Sequence, residues 1–373
     1  MEKRLPKPEG HMYDLTVIGG GPAGTSAAIT ATRAGGSVLL LERSRFPRHK
    51  VCGEFVSAES LGLLSTLLGA THRLITDAIR ISQARIFLDG RVLRTSIAPS
   101  AASIARFDLD AALWKSAIQS GTVAEEQITV QKIVGQGPFL ITTSVGEFET
   151  RAVINAAGRW SNLNSATGGN GSQSDKWLGL KAHFAGPSHG ASVDLYFFDG
   201  GYCGVSPVKL RDTSDECLNV CVMVRAEVAS TLPEVFLQHR ALRERSGKWR
   251  QLTETVSTSP LIFREPQPLD GNILRAGDAA GFVDPFVGDG ISLALRSGAL
   301  AAETLFSFFR GELSLEVGAA QYRHRYEQQL VPVFRNSSRI RQALLLPKAL
   351  RAPALFVLQS VPALAQHLVS MTR

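Results

Sequence analysis

The apolar positions change their period along the chain. Leu15, Val17 and Ile18 make a short apolar run that stops at glycines, an alanine-rich stretch follows, and Val38 to Leu41 is again continuously apolar before Glu42. That pattern predicts strand, tight turn, helix, strand. A related order appears near the other end, where apolar Ile273 to Ala276 runs into Gly277-Asp278. After a short loop, Asp284-Pro285-Phe286-Val287-Gly288-Asp289-Gly290 opens a helix expected to begin near Ile291. Between these ends, residues 78–98 read as strands hinged at Asp89-Gly90, a hairpin signal. Strand-like runs recur over residues 179–225, in "LKAHFAG", "SVDLYFFDGGYCGVSPV" and "LNVCVMV". The expected fold is therefore α/β, with a mainly antiparallel sheet inserted between pieces of a parallel one.

Composition narrows this picture. With 373 residues and 44% hydrophobic content, the chain can bury a large core, most naturally as two connected domains. The four cysteines, Cys52, Cys203, Cys217 and Cys221, lack CxxC spacing, which points to a reducing compartment and no structural zinc. A cytoplasmic setting fits best, since the polar first twelve residues show no signal peptide and no run is long enough to span a membrane. A net charge of +7 favours anionic ligands, a membrane surface or nucleic acid. The basic residues are scattered, however, so no nucleic-acid partner is expected.

The glycines carry the first chemistry. In Gly19-x-Gly21-x-x-Gly24, Gly19 allows a tight turn, Gly21 lets backbone amides approach a pyrophosphate, and Gly24 lets the helix pack close to the strand. The helix N-terminus, with Ala23 in its first turn, offers the positive end of its dipole. Glu42, eighteen positions after Gly24 and followed by Arg43, stands where a carboxylate accepts hydrogen bonds from an adenosine ribose. This motif alone leaves NAD and FAD open. The second one separates them, because an extended dinucleotide held at its adenosine end would present its ribityl chain and flavin to residues 277–291. There Asp278, after Gly277, is the natural ribityl acceptor. The amides of Gly288, Asp289 and Gly290, between Pro285 and Ile291, would stabilise negative charge on a reduced flavin. FAD is the expected cofactor.

The paired motifs resemble the large family of FAD enzymes that includes para-hydroxybenzoate hydroxylase, geranylgeranyl reductases and flavin-dependent halogenases. "SIARFDLDAALWKSAIQSG" is similar to the family's Arg-x-x-Leu/Phe-Asp helix; the resemblance places Arg106 near the cofactor and makes Phe107, Leu109, Leu113 and Trp114 its packing residues. In "AVINAAGRWSNL", Ala157-Gly158 stands where the hydroxylases carry Asp-Gly. The resemblance implies a glutathione-reductase-type FAD domain from segments 13–77, 106–172 and 266–310. It also implies a substrate domain from 78–105 and 173–265, and a helical C-terminal region, 311–373. No second glycine fingerprint follows a strand. Electrons would therefore come from NAD(P)H bound transiently, from a reductase partner or from the substrate.

In such enzymes the loop after the second strand reaches the flavin, and "FPRHKVCGEF" occupies that place. Its Cys-Gly resembles the geranylgeranyl reductases. Cys52, beside His49 and Lys50 and before Gly53, could tune or protonate flavin or substrate, pack at the flavin's edge, or form a covalent link. Cys217 and Cys221, four apart on a strand, share a face and read as core. "GGYCGVSPVK" stands in place of the reductases' Tyr-x-Trp-x-Phe-Pro: Tyr202 and Pro207 match, while Gly204 and Ser206 replace aromatics. Trp177, Phe184, Tyr196, Phe197 and Phe198 could supply an apolar wall or core. The resemblance thus implies an FAD-dependent oxidoreductase with a hydrophobic small-molecule substrate, with a monooxygenase (hydroxylase or epoxidase) slightly favoured and a reductase or desaturase of a carbon–carbon double bond as the alternative. A halogenase is less expected because Trp-x-Trp-x-Ile-Pro is absent, and a non-catalytic FAD-binding module is the remaining class. Residues 342–373, Leu- and Ala-rich with prolines and basic charge, could pack on their own domain, cap a substrate tunnel or touch a membrane surface.

Overall fold

The computed structural model describes residues 12–159, 163, 176–211, 213, 215–261 and 263–344. Two sheets organise them. In the first, strands Ile273–Arg275, Gly146–Asn155, Tyr13–Ile18, Val38–Glu42 and Val123–Glu126 lie side by side and parallel. The Val38–Glu42 strand is buried at every position, as expected of a parallel strand covered on both faces. Helix Pro22–Arg33 returns the chain between the first two strands and packs on helix Gly290–Glu303. The approach is close because Gly298 faces the backbone of Ala23, where an added Cβ would stand 2.0 Å from the carbonyl oxygen.

The second sheet has nine strands, ordered Arg250–Gln251, Trp177–Ala185, Cys217–Arg225, Gly201–Val208, Ser192–Phe198, Ile79–Leu88, Arg91–Ser103 and Phe55–Val56, with Val256–Thr258 paired to Trp177–Ala185. The expected hairpin is present: Leu88 pairs with Arg91, and Asp89 and Gly90 take positive φ of 53° and 77°. One pairing departs from the antiparallel expectation. Ser192–Phe198 runs parallel to Ile79–Leu88, and these strands come from separate passes of the chain, so no hairpin constrains their relative direction.

Strand Cys217–Arg225 is buried on both faces. Leu218, Val220, Val222 and Val224 join a core with Val235 and Leu242 of the two short helices Leu232–Leu237 and Arg240–Ser246. Asn219, Cys221 and Met223 alternate to the opposite face, towards the first sheet. The long helices Leu315–Gln329 and Val331–Leu344 close the described chain. No described helix is long and apolar enough to cross a membrane. Of the stretch read above as a cap or membrane contact, residues 345–373 lie outside the described residues.

Candidate functional site

The first glycine turn is built as its spacing predicts. Gly19 has φ 104°, and a Cβ there would lie 2.3 Å from the carbonyl oxygen of Ala156; one on Gly24 would lie 1.8 Å from the carbonyl oxygen of Gly19. Gly24 accordingly serves packing and does not line the cavity, whereas Gly19, Gly21 and Ala23 do. Gly21 caps helix Pro22–Arg33, and an added Cβ there meets nothing within 4 Å, so the helix N-terminus opens on free space. Glu42 also lines this end. Its Oε2 accepts from the Gly20 amide at 2.8 Å and from Arg48 Nη2 at 3.1 Å, and its Oε1 accepts from the Ser44 amide at 2.8 Å. The carboxylate thus braces the turn as well as facing the cavity, a second task that the spacing did not reveal. Arg43 lines the rim.

The second motif forms the far end. Gly277, Asp278, Pro285, Gly288, Gly290 and Ile291 all line the same cavity. Helix Gly290–Glu303 begins one residue before the expected Ile291, with Gly288 in the left-handed region at φ 78°. Asp278 is partly exposed and pairs with Arg159 Nε at 3.4 Å. The expectation at Asp289 concerned its amide; its side chain is buried, does not line the cavity and is pushed up to about 6 by burial, with the hydroxyls of Ser57 and Ser292 opposing the shift. The Asp289 side chain makes no cap hydrogen bond to its helix and is buried off the cavity, so any cofactor contact at 289 falls to the backbone. Asp284, just before this loop, is pushed up to about 7 by burial, although Arg341 Nε of the last helix lies 2.9 Å away.

Between the two ends runs the cysteine loop, and His49, Lys50, Cys52 and Gly53 all line the cavity. Burial, then the neighbouring Arg48 and Arg106, lowers Lys50 to about 8. Burial, then Lys181 and His183, lowers His49, whose ring rests on Phe107 at 4.7 Å. Arg106 lines the cavity while its guanidinium grips the buried Asp110 at 2.6 and 2.8 Å. Leu109, Leu113 and Trp114 pack behind it as expected. Gly158, with φ 76°, faces free space on the opposite wall.

The second sheet supplies the roof. Tyr202, Met223 and Leu261 are buried together with Trp177, Phe197, Phe282 and Phe286 around them. Phe184, Tyr196 and Phe198 instead belong to the core on the sheet's other face. Burial pushes the Tyr202 phenol well above its ordinary range, so it stays neutral. Cys217 is core, but Cys221, four residues on, lines the cavity: the shared face ends in core at one position and reaches the site at the other. All four cysteines are free. The sequence reading missed Glu54, Lys181 and His183. Glu54 is fully buried and held down at about 2: burial opposes this, and Lys181 and His183 outweigh it.

These walls enclose about 620 Å³, within the roughly 300–1,000 Å³ usual for small-molecule sites. They fit FAD on observation: helix starts at both ends, and glycines 21, 53 and 158 opening on space that a side chain would enter. No group of three or more His, Cys, Asp or Glu among the described residues could hold a metal ion.

Comparison with known proteins agrees with this geometry. Residues 14–75 match the family model of FAD dependent oxidoreductases. The chain is 26% identical to a menaquinone reductase of Mycobacterium tuberculosis, covering 79% of this chain and 76% of that protein. It is 28% identical to a geranylgeranyl diphosphate reductase of Rhodobacter capsulatus, covering 80% and 76%. It also matches conditioned medium factor receptor 1 of Dictyostelium discoideum at 23% over 80% of this chain, and spans only 64% of that protein's length. Among solved structures, the flavin-dependent brominase Bmp2 superposes with a TM-score of 0.80 at 18% identity, covering 97% of this chain and 93% of that one. A geranylgeranyl bacteriochlorophyll reductase-like protein from Thermoplasma acidophilum gives 0.74 at 19%, covering 92% and 90%.

Proposed function

Because the chain is an FAD-dependent oxidoreductase with reductases and halogenases among its relatives, we propose that it saturates a carbon–carbon double bond in an apolar small molecule. One observation carries this reading: the neutral phenol of Tyr202 and the thiol of Cys52 line one cavity together with the apolar Met223, Leu261 and Phe282. The reductase names of two relatives support it. FAD, when bound, supplies the electron pair. Gly19, Gly21, Ala23, Glu42 and the amides at 288–290 would hold that cofactor, and Asp278 would accept from its ribityl chain. Met223, Leu261 and Phe282 exclude water and select an apolar substrate. Tyr202 Oη, which burial keeps neutral, gives the proton that completes saturation and regains one from water when the product leaves. NAD(P)H as a transient visitor is the proposed electron donor.

The test is product analysis on apolar alkenes and quinones with the flavin-loaded protein. A product gaining two hydrogens is expected, with Tyr202→Phe lowering turnover about 10²–10⁴-fold while flavin stays bound. A product gaining one oxygen or a halogen would replace this reading with a monooxygenase or halogenase.

A further inference from the structure

Glu54 takes no part in the chemistry above, yet it is among the most tightly held side chains in the molecule. Oε1 accepts from the Arg106 amide at 2.9 Å and from Lys181 Nζ, and Oε2 lies 2.8 Å from His183 Nε2. The Glu54 amide donates to Cys52 Sγ at 3.3 Å, and its carbonyl accepts from the Ile104 amide at 2.9 Å. Asn219 Nδ2 adds a hydrogen bond to the Cys52 carbonyl at 3.2 Å. Lys181 and His183 occupy alternate positions of one strand of the second sheet, so both reach Glu54 from the same face, and both are buried. The cysteine loop is thereby tied to a helix start of the first layer and to two strands of the second.

This arrangement is costly. Glu54 sits at φ 57°, a left-handed conformation that a residue with a Cβ adopts only when its surroundings impose it. A fully buried lysine–glutamate pair adds little stability, because desolvating both charges offsets their attraction. Strain and desolvation coincide two residues after the cavity thiol, which points to placement rather than to stability. We infer that Glu54, with Lys181 and His183, is a set of positioning residues that pins the Cys52 thiol in the cavity wall and couples it to the substrate-side sheet. The inference deepens the proposed function and rests on its placing of Cys52 in one cavity with Tyr202.

Timed alkylation of the flavin-loaded protein with iodoacetamide, quantified at Cys52 by peptide mass spectrometry, tests it. Burial raises the other three thiols, Cys221 to about 12, so Cys52 should react first. Glu54→Gln alone strands the Lys181 charge and can unfold the protein; Glu54→Gln with Lys181→Met removes both charges together. The double variant should fold, keep its flavin and alkylate Cys52 about tenfold faster than the parent, since the loop opens locally more often. Equal or slower alkylation, or a double variant that does not fold, would overturn the pinning role. Protection of Cys52 by FAD added to the parent apoprotein is read separately. Its absence would sink the flavin site while leaving the comparison of variants intact.

Discussion

The two sheets that flank the cavity are built by different means. On the first-sheet side the chain is shaped by missing side chains, since Gly19, Gly24 and Gly298 bring backbone to within contact of backbone. On the second sheet it is shaped by buried charge: Glu54 on Lys181 and His183 at the face towards the cavity, and Asp194 on Arg85, Arg245 and His189 at the face it shares with Tyr196, away from it. A backbone wall suits a cofactor held by amides and dipoles. A side-chain wall can change its substrate by changing residues, without disturbing the cofactor.

The largest effect that would break this division is at a glycine. Gly24→Val forces a Cβ to within 1.8 Å of the Gly19 carbonyl, and rigid backbone on both sides leaves nowhere to move. We expect a loss of more than about 4 kcal/mol, seen as insoluble or flavin-free protein. Gly62→Ala is the control, because its Cβ meets nothing within 4 Å in the helix Ala58–Leu68. It should gain about 0.5–1 kcal/mol. Normal flavin content in Gly24→Val would remove the backbone argument.

On the second sheet, Asp194→Asn should cost about 3–5 kcal/mol by leaving the partly buried Arg85 and Arg245 without a carboxylate, while bound flavin per folded protein is unchanged because the cluster does not line the cavity. Burial raises Asp194, but Arg85, Arg245 and His189 outweigh it and the net shift is downward. Its contribution is therefore complete above the ordinary carboxylate range and fades as pH falls through its lowered value. Chemical denaturation from pH 7 to pH 3 checks this. A parent–variant gap that stays constant across that range would exclude the ionised carboxylate as the cause.

The same division explains what could be read in advance. The glycine spacings, Glu42, the Asp89-Gly90 hairpin and the strands around Tyr202 are local patterns, each within a few dozen residues, and local sterics dictate them. Glu54 and Lys181 are 127 positions apart, and Arg85 and Asp194 are 109 apart. A buried pair has no local signature, because each partner alone looks like a solvated surface charge. Lys181 and His183 interrupt "LGLKAHFAG" only mildly, and two polar residues two apart in an apolar strand were the one available sign. Asp289 shows a related limit: spacing locates the amide of an N-cap residue but does not say which way its side chain turns.

Asp289 also offers the smallest effect, and one of opposite sign. Its carboxyl is raised to about 6 by burial, so folding favours the protonated form. Between the unfolded value near 4 and this folded value, each rise in pH removes stability, and above it the full penalty remains. Asp289→Asn keeps the shape without the charge. It should match the parent near pH 4 and exceed it by about 1–3 kcal/mol at pH 8. Melting curves at the two pH values decide the matter. If the variant is instead less stable at pH 8, the carboxylate is ionised and held by Ser57 and Ser292, and removing a buried charge costs stability beside the first sheet as it does on the second.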